Sequence, residues 1–347
     1  DLTYEKNQEL NLATEFGLFN DRINFSVAWF NRKSYDLIGG ITTQGVSGTI
    51  TKKGNMAEMR IRGLEIGVET TNIKTADFSW RTSFVYSRSS NEVTKLLTNP
   101  TIQDMVGYNS QSATSQGGFA KEGYPLKSLF SVPFNGLNSS GLPTFTNQQG
   151  DATINGIRFD SQDVDFLKYS GTLIPTDKGS LSNTINYKGI SLGVVLTYSY
   201  GNVVRLRGMR NIYNDYSTVP RELNNRWQYA GDENKTDIPV LYTTYMYQRL
   251  FNGWKEMNQA YLTYDYSDVR IAKGDNIRLK EISLGYTFDK NFLRESRIRQ
   301  LSLKLQATNI ALLYADKKLN GDDPDYLANG YAPIPPKRLI FTLRVGL

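Results

Sequence analysis

The 347-residue sequence has no cysteine and no histidine. Without Cys there are no disulfides, no thiolate nucleophile and no Cys-based metal site, and the redox compartment cannot be read. Without His the commonest general base and the commonest transition-metal ligand are missing. Ser-His-Asp, Cys-His and His-zinc chemistry are therefore excluded within the chain, and an enzyme here would have to work with carboxylates, Lys, Tyr or an oxygen-bound metal. Long apolar runs are lacking too: none approaches the ~18 residues of a spanning helix, and mean hydropathy is -0.44. The net charge of +6 is spread along the chain with no Lys/Arg block, so no nucleic-acid partner is expected. The opening Asp1-Leu2-Thr3-Tyr4-Glu5-Lys6-Asn7-Gln8 carries no n-region, h-region or cleavage site. What is present is 22 Tyr, 16 Phe and 29 Gly beside only 11 Pro, a mixture that favours extended structure with many turns.

Period-2 alternation runs through segments of roughly ten residues, the length a tilted strand needs to cross a bilayer. The first such segment, Gln8 to Phe19, sets Leu10, Leu12, Phe16 and Leu18 against Glu9, Asn11, Glu15 and Gly17. The pattern recurs over Ile23 to Arg32, Arg62 to Thr70, Phe78 to Tyr86, Leu181 to Tyr187, Ile190 to Tyr198, Glu281 to Phe288, Leu301 to Thr308, and Phe341 to Leu347. Phe30 is an aromatic in the polar phase, and Arg278 and Lys280 share the apolar phase of Ile282. An interfacial position near anionic headgroups is the plain expectation for those two cations.

Alternation alone also suits a soluble sandwich, and the connections decide. Short turns at Asn20-Asp21-Arg22, Lys74 to Asp77, Lys188-Gly189 and Asp289 to Gln300 alternate with long segments at 35–58, 90–179, 201–276 and 313–337. Tight periplasmic turns with large extracellular loops mark an outer-membrane barrel, whereas a compact soluble domain rarely holds structureless loops of that length. The fold class expected is all-β, an antiparallel transmembrane β-barrel with long extracellular loops. About nine strands is an odd number where single-chain bacterial barrels have an even one. The chain is therefore expected to be a C-terminal barrel portion, unable to fold without the remaining strands.

Leu2 to Leu12, Phe16-Gly17-Leu18-Phe19 and Phe30-Asn31-Arg32-Lys33 resemble the strand entries of the SusC/RagA TonB-linked outer-membrane proteins. Gly54-Asn55-Met56 with Arg62-Gly63-Leu64-Glu65-Ile66 is similar to another strand of that family, and Glu122 to Leu126 with Gly136-Leu137 to one of its large loops. Asp275 to Tyr286, Thr308-Asn309-Ile310, Asp322-Asp323-Pro324-Asp325 and Pro335-Pro336-Lys337-Arg338 complete an ordered match along nearly the whole chain. The resemblance implies a barrel of about 22 strands around an N-terminal plug, with residues 1–347 its C-terminal part and the plug and TonB box lying elsewhere. It also implies import of a glycan or peptide, energised by TonB, with a SusD-like lipoprotein lid as partner. Outer-membrane lipid and lipopolysaccharide would surround it, no cofactor is called for, and it would not be an enzyme. An adhesin or structural barrel is the alternative.

Asn320 to Asp325 has the oxygen density of a calcium loop but lacks the EF-hand spacing, so a solvated turn is preferred; Asp160, Asp163 and Asp165 are equally ambiguous. The aromatic-rich segment 201–276 is the candidate contact surface, with Trp227, Tyr242, Tyr245 and Trp254 singled out for cargo or lid. Tyr and Trp give large contact area at low entropic cost. The plainer reading is that they pack the loop onto itself.

Overall fold

A computed structural model of the chain describes residues 2–42, 51–108, 117–209, 221–241, 254–289, 293, 298–328 and 333–346, with backbone alone at 41–42, 51 and 254–255. Its main sheet is an antiparallel meander. The strands are β1 (Lys6–Leu18), β2 (Ile23–Thr42), β3 (Thr51–Lys74), β4 (Phe78–Leu96), β10 (Asp177–Tyr187), β11 (Ile190–Tyr200), β14 (Asn276–Thr287), β15 (Gln300–Ala315) and β16 (Arg338–Gly346), hydrogen-bonded in that order. Each alternating segment falls on one of these nine strands, with Phe19 and Phe288 just beyond β1 and β14 and Leu347 outside the described residues. Among the described residues no helix is long and apolar enough to cross a membrane, which says nothing of strands.

Short turns form where the sequence supplies left-handed backbone. Lys188 and Gly189 both have positive φ, 44° and 87°, the geometry of a two-residue hairpin turn whose twist matches its strands. Phe19, Asn20 and Asp21 at 56°, 54° and 60° make the turn between β1 and β2.

Register then fixes the faces. One continuous row is Phe16, Phe25, Val68, Phe84, Leu181, Leu196 and Leu279. Among the described residues no layer packs on this face: in the row Phe16 is 47% and Phe84 36% exposed, and elsewhere on the same face Leu12 is 60%, Leu284 52% and Phe341 66% exposed. The opposite face carries small and polar residues. There Phe30 lies directly across from Gly63, where a Cβ would come within 2.2 Å of its ring. A large ring on a residue without a side chain fills the gap glycine leaves, which accounts for the aromatic in the polar phase.

The sequence phase fails at one place, and the reason is local. A register shift leaves Lys280 unpaired between Leu279, opposite Leu196, and Glu281, opposite Val195, with a matching shift toward β15. An extra residue in one strand exchanges the two faces beyond it. Arg278 therefore lies on the polar face, opposite Thr197, and not on the apolar face with Ile282. Its expected headgroup contact is overturned by its partners, described below.

Strands β2, β3 and β4, at 20, 24 and 19 residues, outrun the alternating segments and continue into stretches expected to be loop. At about 3.3 Å per residue β3 spans roughly 80 Å, far more than a hydrocarbon layer requires. The long connections are not structureless either. They hold β5 (Ser128–Ser131), β6 (Phe134–Leu137), β7 (Pro143–Thr146), β8 (Ala152–Thr153), β9 (Lys168–Thr172), β12 (Val203–Arg205) and β13 (Ile271–Lys273). Among the described residues three α-helices accompany them: α1 (Ile102–Val106), α2 (Trp254–Asp265) and α3 (Pro324–Ala328). Of the buried apolar side chains among the described residues, Val93 alone belongs to a main-sheet strand. The molecule keeps its hydrophobic core in its connections.

Candidate functional site

The connections build a cap at the long-connection end of the sheet. Its largest cluster joins Ile102, Met105 and Val106 of α1 and Phe130, Phe145 and Phe159 from the 97–176 connection to Leu262 and Tyr264 of α2. A second cluster packs Leu142 against Met257, Ala260 and Tyr261, and a third gathers Val204, Leu206, Ala272, Leu319 and Leu327. The three long connections after β4 are thus one packed body.

Buried charge ties this body together. Arg270 is fully buried and meets Glu222 through two nitrogens, at 2.8 and 2.6 Å, while donating to the carbonyl of Arg207 at 2.6 Å. Burial works against the guanidinium charge, yet Tyr264 and Glu222 hold it above the ordinary arginine range. Burial pushes the Tyr264 phenol up. Arg205 donates to the Phe130 carbonyl at 3.0 Å and lies over the Tyr266 ring.

The acidic motif near the C-terminus is an arginine clamp. Asp323 takes two bonds from Arg278, at 2.7 and 2.5 Å, Asp325 lies 2.9 Å from the same guanidinium, and Asp322 pairs with Arg207 at 3.0 Å. Burial opposes the Asp323 charge, and the Arg278 bonds overcome it and hold the carboxyl below its usual range. The carboxylates of the motif are engaged by arginines, and among the described residues no group of three ligating side chains is placed to hold a metal. Asp160 is exposed and paired with Arg158, whose hydrogen bond lowers its carboxyl, and Asp165 lies 3.8 Å from Lys121.

The four aromatic candidates are not brought together as a visible surface. Tyr242 and Tyr245 lie outside the described residues, and Trp254 opens α2 with only its backbone described. Trp227 is half-buried: its indole donates to Glu233 at 2.9 Å, and the Gly141 turn approaches the ring so closely that a Cβ there would come within 2.4 Å. The bond from Trp227 holds the Glu233 carboxyl down, and the backbone N–H of Tyr229, with Lys235, does the same for Asp232. Those two carboxylates fasten a tight knuckle, and at its tip Tyr229 is 75% exposed. Tyr229 belongs to the aromatics of 201–276 but was not among the four singled out from the sequence. Its signal was the Gly231-Asp232-Glu233 turn that follows it.

Among the described residues two concavities stand out. A trough of about 550 Å³ lies on the polar face over Gly17 and Gly67, lined by Glu15, Ser26, Glu69 and Ser83. A cavity of about 290 Å³ lies at the Lys280 bulge, walled by Arg278, Asn309, Asp323 and Pro336. Such surfaces suit binding and passage.

No family model matches the chain. It is 24% identical over 335 residues to "TonB-dependent receptor P3" of Formosa agariphila, covering 94% of this chain and 31% of that protein. It is 23% identical over 355 residues to "TonB-dependent receptor SusC" of Bacteroides thetaiotaomicron, covering 100% of this chain and 32% of that one. In fold it resembles a solved RagAB peptide transporter, with TM-score 0.71 at 19% identity over 99% of this chain and 35% of the transporter chain. The chain thus spans about a third of the length of the curated relatives it matches. The antiparallel meander is similar in fold to the RagAB transporter chain. In sequence the chain is similar to outer-membrane proteins named as TonB-dependent receptors, SusC among them. The relatives are named receptors and transporters, not enzymes.

Proposed function

We propose that this chain supplies strands and an outward cap to a closed transmembrane barrel of about 22 strands that imports an oligomeric nutrient. TonB would energise it, a SusD-like lipoprotein would close over the cap, and no covalent bond would be made or broken. The observation that carries the reading is the row from Phe16 to Leu279, apolar on seven successive strands, with Phe16 47% and Phe84 36% exposed. A solvated sheet would not keep such a row exposed, and hydrocarbon is the medium it suits. The polar face would then line the conduit. A peptide cargo is favoured by the named RagAB relative, with glycan the alternative.

The cap would meet cargo or lid through Tyr229 and the aromatic set Trp227, Tyr242, Tyr245 and Trp254. Aromatic anchors in a buried contact cost about 2 kcal/mol or more on truncation. In the full-length receptor, changing these five to Ala should weaken uptake and lipoprotein co-purification at an unchanged amount of receptor in the outer membrane. Tyr229→Ala alone is the cleanest arm, because Tyr229 is 75% exposed. Unaltered uptake and an unaltered complex would assign these residues to packing only.

A further inference from the structure

The apolar face ends abruptly on β2 to β4. Past the row Leu12, Trp29 and Leu64, the next outward positions toward the long connections are Asn31, Arg62 and Ser90, then Lys33, Arg60 and Glu92. Lys33 lies directly opposite Arg60, and Arg62 shares their face one step nearer the apolar row. Like charges opposite each other on a ladder destabilise it, so the arrangement needs a reason.

Neighbouring cations have partners: Lys6 with Asp36 at 2.9 Å, Arg88 with Asp177 at 3.6 Å, Lys95 with Glu58 at 3.6 Å. Lys33, Arg60 and Arg62 have none among the described residues, and the Nε of Arg60 is buried without a hydrogen-bond partner. Glu92 faces Arg60 across the ladder but forms no ion pair with it. Three cations are thus held without an ion-pair partner among the described residues at the upper margin of an apolar surface.

We infer that Lys33, Arg60 and Arg62 form a docking site for a phosphate-bearing lipid headgroup in the leaflet on the long-connection side. The inference rests on the membrane reading above. Arg62 is two residues, about 7 Å, beyond Leu64, which puts a bound phosphate at headgroup depth while the acyl chains lie along Leu12, Trp29 and Leu64. Trp29, 38% exposed at that margin, is the side chain an interface favours. Guanidinium forks match phosphate oxygens in pairs, and two forks with one ammonium suit a headgroup bearing more than one phosphate. A free anion would gain nothing from the apolar strip, so the joined surfaces select a lipid.

The test uses the full-length receptor in phosphatidylethanolamine nanodiscs doped with diphosphorylated lipid A or with its dephosphorylated form, the retained lipid being read by native mass spectrometry. At roughly fivefold per cation near a charged surface, the triple variant Lys33→Gln, Arg60→Gln, Arg62→Gln should lose about a hundredfold of its retention of the phosphorylated lipid. Retention of the dephosphorylated lipid should match in both proteins, and Lys33→Arg, Arg60→Lys, Arg62→Lys should recover most of the loss. Should the triple variant fail to assemble, Arg62→Gln alone should show the fivefold step. Equal retention by wild type and variant would overturn the site, as would inorganic phosphate displacing the lipid in full. Neither result touches the membrane reading, which stands or falls on assembly of the outward-face variants described below.

Discussion

Arg270 and Glu222, 48 residues apart, close a buried two-bond ion pair inside the cap. Removing one partner from such a pair leaves an uncompensated buried charge, at about 3–5 kcal/mol. Glu222→Ala should therefore open the cap to protease at temperatures where the sheet still runs as a heat-modifiable species. The paired change Glu222→Leu with Arg270→Met should restore much of the resistance, since well-packed apolar replacements of buried pairs are often neutral. Protease resistance unchanged in Glu222→Ala would mean the pair contributes nothing to the cap.

A second ion pair makes the cap pH-sensitive. Arg278 holds the Asp323 carboxyl below its usual range, and a depressed carboxylate contributes stability that is whole above its unfolded pKa, about 3.9. That stability is lost as pH falls through the lower, folded value. Detachment of segment 316–328, followed by hydrogen exchange at α3, should begin below about pH 4 in the wild type. In Asp323→Asn the same amides should exchange faster already at neutral pH and gain little more on acidification from this site. Identical profiles for the two proteins would remove Asp323 from the clamp.

Val194 stands on the apolar face opposite Ile282, and Ser191 on the polar face opposite Gly285. Arg in hydrocarbon near the midplane costs about 2–4 kcal/mol, whereas a lumen tolerates it. Val194→Arg should deplete the receptor from the outer membrane far more than Ser191→Arg, as measured by surface labelling. Equal depletion would argue for a soluble two-sided sheet.

The fit of Phe30 on Gly63 predicts sensitivity at a glycine that is neither in a turn nor at positive φ. Overfilling a packed site costs about 1–3 kcal/mol, so Gly63→Val should lower the temperature of heat modification. Adding Phe30→Ala should recover part of the loss. No recovery in the double variant would show that the strain lies elsewhere.

The alternating part of each strand was legible in the sequence because one face is apolar and the other small or polar, as with Leu64, Ile66 and Val68 against Gly63, Glu65 and Gly67. The upper halves of β2 to β4 were not, since the apolar face ends there and the alternation that betrays a strand is absent. The phase of Arg278 was misread because a bulge leaves no mark on period; only the pairing of Leu279 with Leu196 shows it. The cap was read as structureless because its contacts, such as those joining α1 to α2, link distant segments that carry no local pattern. The aromatic density of 201–276 marked a segment that packs into the cap. The choice within it favoured Trp227, whose ring stacks on Gly141, over the exposed Tyr229.

A core confined to the connections also sets an order of events. Ile102 and Tyr264 share one cluster but are joined in sequence only through β10, β11 and a long stretch beyond, so closing that loop carries an entropic cost until the intervening strands have paired. Cap formation is then a late step that inspects the finished hairpins. A one-residue slip at Leu181 and Leu196 would exchange every following side chain between the faces and carry Arg205 and Arg270 away from their partners. The cap acts as a proofreader of strand register, and a receptor whose cap resists protease has its strands correctly aligned.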